Sequence, residues 1–159
     1  MSAKTLLTAD ELELMPDDDT VQVELDEGEL VTMPPAGEEH GDCETTIILI
    51  LGEFVRTHGL GKVYTGDTGF RLSRDTMRSP DVAFVRKERV EAIRSKGFAK
   101  GAPDLAVEIF APSDSVRQLM RKVKQYFAAG CHTVWIVKSG KSGTDGHFSR
   151  WRSAVSHKI

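Results

Sequence analysis

The sequence predicts a single α/β domain, and three observations carry that reading. An apolar run, Leu105–Phe110, is followed by an amphipathic helical stretch and then by a second apolar run, Thr133–Val137. Strand, helix and strand in that order imply a right-handed crossover with parallel pairing. Two alternating segments near the start, Val21–Leu25 and Glu29–Met33, flank the turn Asp26-Glu27-Gly28 and read as a β-hairpin. Between these regions, Cys43, Ile47, Ile50, Leu51 and Phe54 recur at helical spacing over a segment running from about Glu38 to His58.

The elements follow in order. Thr8, with Glu11 three residues later, forms a capping-box signature for a short helix that Pro16 stops. Asp17-Asp18-Asp19 is a solvated turn, and Pro34-Pro35 ends the hairpin. Gly59 closes the long helix. Near its start, His40 and Glu44 lie one turn apart, which reads as a surface hydrogen bond, with a metal pair as the alternative. Gly59–Gly69 is glycine-rich with a short strand at Lys62–Tyr64, and it lacks the Gly-Lys-Ser/Thr ending of a phosphate-binding loop. Phe70–Leu72 is a short strand, Ser73–Ser79 a polar loop with Arg74 and Arg78, and Pro80-Asp81 opens the strand Val82–Val85. Arg86–Lys100 reads as a solvated basic connector, partly helical around Arg89–Ile93.

Leu105–Phe110 is apolar on both faces apart from Glu108, the pattern of a strand covered on two sides. Ser113 or Asp114 caps the next helix. Val116, Leu119, Met120, Val123, Tyr126 and Phe127 make its apolar stripe, and Gly130 stops it. Residues 1–138 thus form one domain, and 139–159 a Gly/Ser-rich basic tail with one weak strand at His147–Trp151.

Composition narrows the class. The longest apolar run, Ile47–Leu51, is far too short to span a membrane. No basic region followed by an apolar segment opens the chain, so no signal peptide is expected. Cys43 and Cys131 stand alone, which reads as two free thiols in a reducing cytoplasm. The net charge of −3 argues against a simple nucleic-acid coat protein. Its distribution is uneven: residues 1–50 hold 14 acids and one base, whereas residues 51–159 hold 10 acids and 20 bases. The larger part could meet a polyanion, or the two parts neutralise each other across a shared core.

Asp81 and Glu108 stand at strand ends with Lys122 on the helix that follows. Phosphodiester hydrolysis near neutral pH uses a divalent cation to polarise the phosphate and acidify water. Magnesium takes oxygen ligands, often one or two carboxylates plus waters and phosphate, and a lysine nearby can hold the water or offset phosphate charge. Alone, Asp81 is more often a turn residue. Glu108 is harder to set aside, because a carboxylate inside an apolar strand is costly unless it is paired or bound to metal. Lys122 and Lys124 sit on opposite flanks of the apolar stripe, and periodicity does not choose between them.

Several stretches together carry a resemblance. They are Asp-Glu-Gly-Glu-Leu-Val after a short capped helix, Pro-Pro followed by His40, and Ser-Pro-Asp-Val-Ala-Phe-Val. Pro-Asp-Leu-Ala-Val-Glu-Ile-Phe-Ala-Pro-Ser-Asp, Lys-Val-Lys-Gln-Tyr-Phe-Ala-Ala-Gly and Val-Trp-Ile-Val follow. Over roughly residues 5–138 the chain resembles the Uma-two family, restriction-endonuclease-like proteins of the PD-(D/E)XK nuclease superfamily. The resemblance implies a three-layer α/β/α core with a mixed central sheet and an N-terminal β-hairpin. It implies metal-binding acids at Asp81 and Glu108, with Mg²⁺ or Mn²⁺ as cofactor. The superfamily's lysine usually sits two residues after the acid, where this chain has Phe110; the Lys-x-x-x-Tyr pattern of Lys122 and Tyr126 matches a lysine moved to the helix. Glu24 and His40 match further family positions near the site. Relatives continue as Trp-Val-Val-Asp-Pro, whereas here Val137 runs into Lys138-Ser139-Gly140.

The expectation is therefore a metal-dependent endonuclease acting on DNA, with Asp81, Glu108 and Lys122 in catalysis and Glu24, His40 and Tyr126 as secondary candidates. The alternative is a non-catalytic descendant of the fold that binds nucleic acid or a protein partner, and a third reading is a small-molecule phosphodiesterase. DNA is the partner this implies, a membrane is not, and a homodimer is left open. As a residue flanking the stripe, Lys122 is expected to add little to folding.

Overall fold

The computed structural model describes residues 6–16, 21–139 and 152–154; the Asp17–Asp19 turn and the His147–Trp151 strand lie outside them. Helix α1 (Ala9–Glu13) opens on the expected capping box, with the Thr8 side chain and the Glu11 carboxylate satisfying each other's backbone N–H groups. Strands β1 (Gln22–Asp26) and β2 (Glu29–Met33) pair antiparallel from Gln22–Met33 to Asp26–Glu29. Their two-residue turn has φ of 49° at Glu27 and 85° at Gly28. Positive φ at both central positions is what a type I′ hairpin turn needs, and glycine supplies the second without strain.

Helix α2 (Glu38–Thr57) buries Ile47 and Val55, with Cys43, Ile48 and Leu51 partly buried beside them. Ile50 and Phe54, expected on this stripe, are instead 64% and 54% exposed. Ile47, Leu51 and Val55 follow at steps of four and define the inner face, which turns Ile50 and Phe54 onto its flank.

Strands β3 (Gly61–Thr65), β4 (Phe70–Arg71), β5 (Met77–Arg78), β6 (Val82–Arg86), β7 (Ala99–Lys100) and β8 (Leu105–Phe110) follow, then helix α3 (Val116–Ala128), β9 (Thr133–Lys138) and β10 (Arg152–Ala154). The central sheet has the order β10-β9-β8-β6-β3. It is mixed: β8 and β9 are parallel, and the other pairs antiparallel. Parallel β8 and β9 joined through α3 are the expected crossover unit.

Alternation along β8 builds the three layers. Leu105, Val107 and Ile109 pack with Ile47 of α2 on one face, whereas Ala106 packs with Val123 and Tyr126 of α3 on the other. Glu108 has the parity of Ala106 and so lies on the α3 side. A second mixed sheet, β2-β1-β5-β4-β7, carries the hairpin. The chain passes from β5 to β6 through Ser79-Pro80-Asp81, which ties the hairpin sheet to the central one.

Three local expectations are corrected. Met77–Arg78 is a strand rather than part of a polar loop, and Arg78 is buried. The connector after β6 holds a 3₁₀ turn at Lys87–Arg89, and Val90 and Ile93 pack on Phe70, Ala83 and Val85, so its apolar residues are core. The N-cap of α3 is Ser115, whose hydroxyl accepts from the Gln118 N–H at 3.4 Å. Asp114 turns back instead to accept from the Ala111 N–H at 2.7 Å, closing the Pro112-Ser113 turn. Cys43 and Cys131 are free thiols. Among the described residues no helix is long and apolar enough to cross a membrane.

Candidate active site

Glu108 stands near the end of β8, 6% exposed, beneath α3. Its Oε1 accepts a hydrogen bond from the Tyr126 hydroxyl at 2.6 Å, and its Oε2 lies 3.3 Å from the Lys122 ammonium. Burial pushes the Glu108 carboxyl up to about 7; Lys122 pulls the other way, and Asp81 and Glu24 add repulsion. Burial also pushes the Tyr126 phenol well up, and the neighbouring Glu108 adds to that.

Lys122 and Tyr126 are four residues apart on α3, hence on one helix face. The Lys122 ammonium also reaches Oε1 of Glu24 at 2.9 Å. Burial disfavours the charged ammonium, but Glu108 and Glu24 outweigh it and hold its pKa up at about 12. Glu24 is fully buried on β1. Besides Lys122 it accepts from the Ser79 N–H at 3.0 Å and from Arg78 at 2.8 Å.

Asp81 lies immediately before β6. The register ends at Val82–Val107, and Asp81, one residue before it, lies near enough to Glu108 to add repulsion to its carboxylate. Its Oδ2 accepts from the Ile109 N–H at 2.6 Å, and its Oδ1 faces Nε2 of His40 at 3.2 Å. The hydrogen bond to Asp81 raises the His40 pKa despite partial burial. His40 Nδ1 is buried with no hydrogen-bond partner, and the Glu44 carboxylate stands 4.0 Å away. The expected His40–Glu44 surface hydrogen bond is thus replaced by a contact to Asp81, because the first turn of α2 points its ring at the end of the central sheet. Burial raises the Glu44 pKa, and its carboxylate accepts from the Gly66 N–H at 3.4 Å.

The structure therefore brings Glu24, Glu108, Lys122 and Tyr126 into direct contact, with Asp81 and His40 as a neighbouring pair. The family model described as "Putative restriction endonuclease" matches residues 9–150 of the chain. The chain belongs to the Uma-two family. No curated protein matches it. Its fold is similar to the crystal structure of an Anabaena variabilis protein described as "a putative nuclease belonging to DUF820". The TM-score is 0.68 at 18% identity, over 83% of this chain and 74% of that one. At that identity the likeness shows the fold alone.

In this Uma-two domain the sequence reading missed Arg78 and Gln125. Arg78 donates from Nε to the Gln125 side-chain Oε1 at 2.8 Å, from Nη1 to Glu24 and from Nη2 to Asp26 at 2.9 Å. The Gln125 amide donates to Asp26 at 2.8 Å. Burial would raise the Asp26 pKa, but Gln125, Arg121 and Arg78 hold it below the usual range. Neighbouring Met77 and Arg78 are both buried, so alternation along the chain gave no signal for the arginine.

The donors suit a hard divalent cation. Asp81 and Glu108 offer carboxylate oxygens and no sulfur. Among the described residues, no group of three or more His, Cys, Asp and Glu side chains is arranged to hold a metal ion by itself. Mg²⁺ fits such a set, because it takes one or two carboxylates and completes its shell with water and phosphate oxygens.

Proposed function

We propose that this Uma-two domain is a metal-dependent endonuclease that hydrolyses phosphodiester bonds in DNA. The observation that carries the reading is the contact of the Lys122 ammonium with two buried carboxylates, 2.9 Å from Glu24 and 3.3 Å from Glu108, beside Asp81. A buried ion cluster of this kind is weak evidence for a purely stabilising role, since desolvating its charges is costly. A divalent cation, Mg²⁺ or Mn²⁺, held by Asp81 and Glu108 would supply Lewis acidity to the phosphate and lower the pKa of the attacking water. Glu108 is kept oriented by Tyr126. Lys122 presents positive charge where a phosphate or its water nucleophile would lie, and Glu24 fixes its direction. His40 sets the orientation of Asp81.

The test is cleavage of supercoiled and single-stranded DNA by the purified protein with Mg²⁺, with Mn²⁺ and with EDTA. Cleavage should need the cation, and cleavage in EDTA would remove the metal from the reading. Mg²⁺ should also raise the melting temperature by mass action, because it binds the folded state. Asp81→Asn should abolish that rise and keep the fold, since its amide oxygen can still accept from Ile109. An unchanged Mg²⁺ response would put the metal elsewhere. The second reading, a non-catalytic descendant that binds nucleic acid or a protein partner, draws on one observation: both acids already satisfy the Lys122 ammonium. Binding of DNA without cleavage under either cation would select it.

A further inference from the structure

We propose that Arg78 is a positioning residue of this site, which neutralises Glu24 so that Lys122 remains shared with Glu108. The inference rests on the nuclease reading and deepens it. The buried cluster has one ammonium for two carboxylates, and the ammonium lies nearer Glu24 than Glu108. Without a second cation, Glu24, which is fully buried, would draw Lys122 wholly to itself. Arg78 supplies that cation on the other oxygen: its Nη1 meets Oε2 of Glu24, whereas Lys122 meets Oε1.

The guanidinium fork matters as well as its charge. Nε, Nη1 and Nη2 engage Gln125 of α3, Glu24 of β1 and Asp26 at the end of the same strand, at 2.8, 2.8 and 2.9 Å. Gln125 lies three residues after Lys122, so Arg78 also fixes the turn of α3 that carries the lysine. A lysine at position 78 keeps the charge but cannot hold three planar partners at once. Among the described residues Arg78 forms no hydrogen bond or ion pair with Asp81 or Glu108, so it acts through Glu24, Gln125 and Lys122.

The experiment compares the full chain with Arg78→Lys, Glu24→Gln and the double variant, each checked for folding by thermal melting. With Mn²⁺ and supercoiled DNA, Arg78→Lys should lower kcat about 10-fold or more, the scale of a weakened electrostatic contact, and leave KM nearly unchanged. Arg78→Lys should cost less in the Glu24→Gln background than alone, because part of its effect runs through that carboxylate and the rest through Gln125. Effects that multiply, or an unchanged kcat in Arg78→Lys, would overturn the proposal. Should Arg78→Lys fail to fold, the double variant and Glu24→Gln still give the comparison.

A second readout needs no activity. In ¹⁵N-lysine spectra, the Lys122 ammonium signal is the one missing from Lys122→Arg. It should shift or broaden in Arg78→Lys, and an unmoved signal would overturn the proposal. If the unmutated protein fails to cut DNA, the nuclease reading falls, and this signal alone decides whether Arg78 positions Lys122.

Discussion

The two ends of β8 each carry a buried carboxylate, and the depth of burial together with the cations around them makes them opposites. Asp104, 7% exposed just before the strand, accepts from the Arg86 N–H at 2.9 Å and from the Arg86 and Arg89 guanidinium groups at 2.8 and 2.9 Å. Burial would raise its pKa, but these arginine contacts outweigh burial and hold it low. Glu108, 6% exposed near the other end, shares one lysine with Glu24 and is pushed up to about 7 by burial. Both side chains expose little surface, but Glu108 lies deeper and has fewer cations, so one end holds a fixed structural anion and the other an acid that burial pushes up. Burial of an acid is not itself the mark of a site; burial without enough positive charge is.

Removing the one cation at the Glu108 end should have the largest effect. Lys122→Ala leaves Glu108 without its cation and Glu24 with Arg78 alone. It should lower stability by about 3–5 kcal/mol and DNA cleavage by about 10²-fold or more, read by denaturant unfolding and by cleavage rates. The flanking position suggested little cost to folding, but the two ion pairs reverse that expectation. Unchanged stability would mean that the two acids share a proton instead of the lysine's charge.

At the opposite end, Asp104→Ala should cost about 1–3 kcal/mol, the range for hydrogen bonds to charged groups. The cost stays near the low end because Arg86 is more than half exposed and can return to water. The pH dependence has the ordinary sign for an acid held low. The stability that Asp104 contributes is present above its unfolded value of 3.8 and is lost as pH falls through its lower folded value. Acid unfolding curves of the wild type and Asp104→Ala should therefore converge at low pH; parallel curves would show that the arginines hold no charge on Asp104.

Glu108 has the reverse sign. Its folded pKa of about 7 lies above the ordinary value of 4.5, so between these values the folded chain keeps a proton that the unfolded chain has lost. The stabilising contribution is complete below 4.5 and is lost as pH rises through 7, at up to about 1.4 kcal/mol per unit. Glu108→Gln, neutral at every pH, should remove that slope. Urea unfolding at pH 5, 6, 7 and 8 reads the difference between the two chains. A constant difference would mean that Glu108 is ionised throughout.

The crossover and the hairpin were legible from period and turn residues, in the apolar run of β8, the stripe of α3 and the Asp26-Glu27-Gly28 turn, whereas the three layers came from the resemblance. Glu108 was legible because a lone carboxylate in an apolar strand contradicts its surroundings. Arg78 was not, since a polar stretch with an arginine is indistinguishable from solvated loop until β1 brings Glu24 against it. His40 was visible as a partner for Glu44 one turn away, but its contact with Asp81 spans the join between α2 and the central sheet. The start of α3 moved to Ser115 because Asp114 is engaged with Ala111, a choice between adjacent capping residues that composition leaves open. Contacts within one element follow from its period, whereas these contacts depend on how elements meet.

The smallest effect should come from Lys124, two residues from the lysine with the largest. Successive helix residues advance about 100°, so Lys122 and Lys124 diverge by about 160° modulo a turn. Lys122 is carried under the helix to Glu24 and Glu108, whereas Lys124 is exposed and forms no ion pair among the described residues. Lys124→Ala should change stability by less than about 0.5 kcal/mol, as surface substitutions do. If the outer face of α3 passes near DNA, the substitution should weaken binding modestly and reduce its salt dependence by about one counterion, leaving the rate of the bound complex intact. Binding titrations at several salt concentrations, together with single-turnover cleavage, separate these outcomes. A loss of single-turnover rate as large as that of Lys122→Ala would show that the chemistry lies on the outer face of α3 and not beside Glu108.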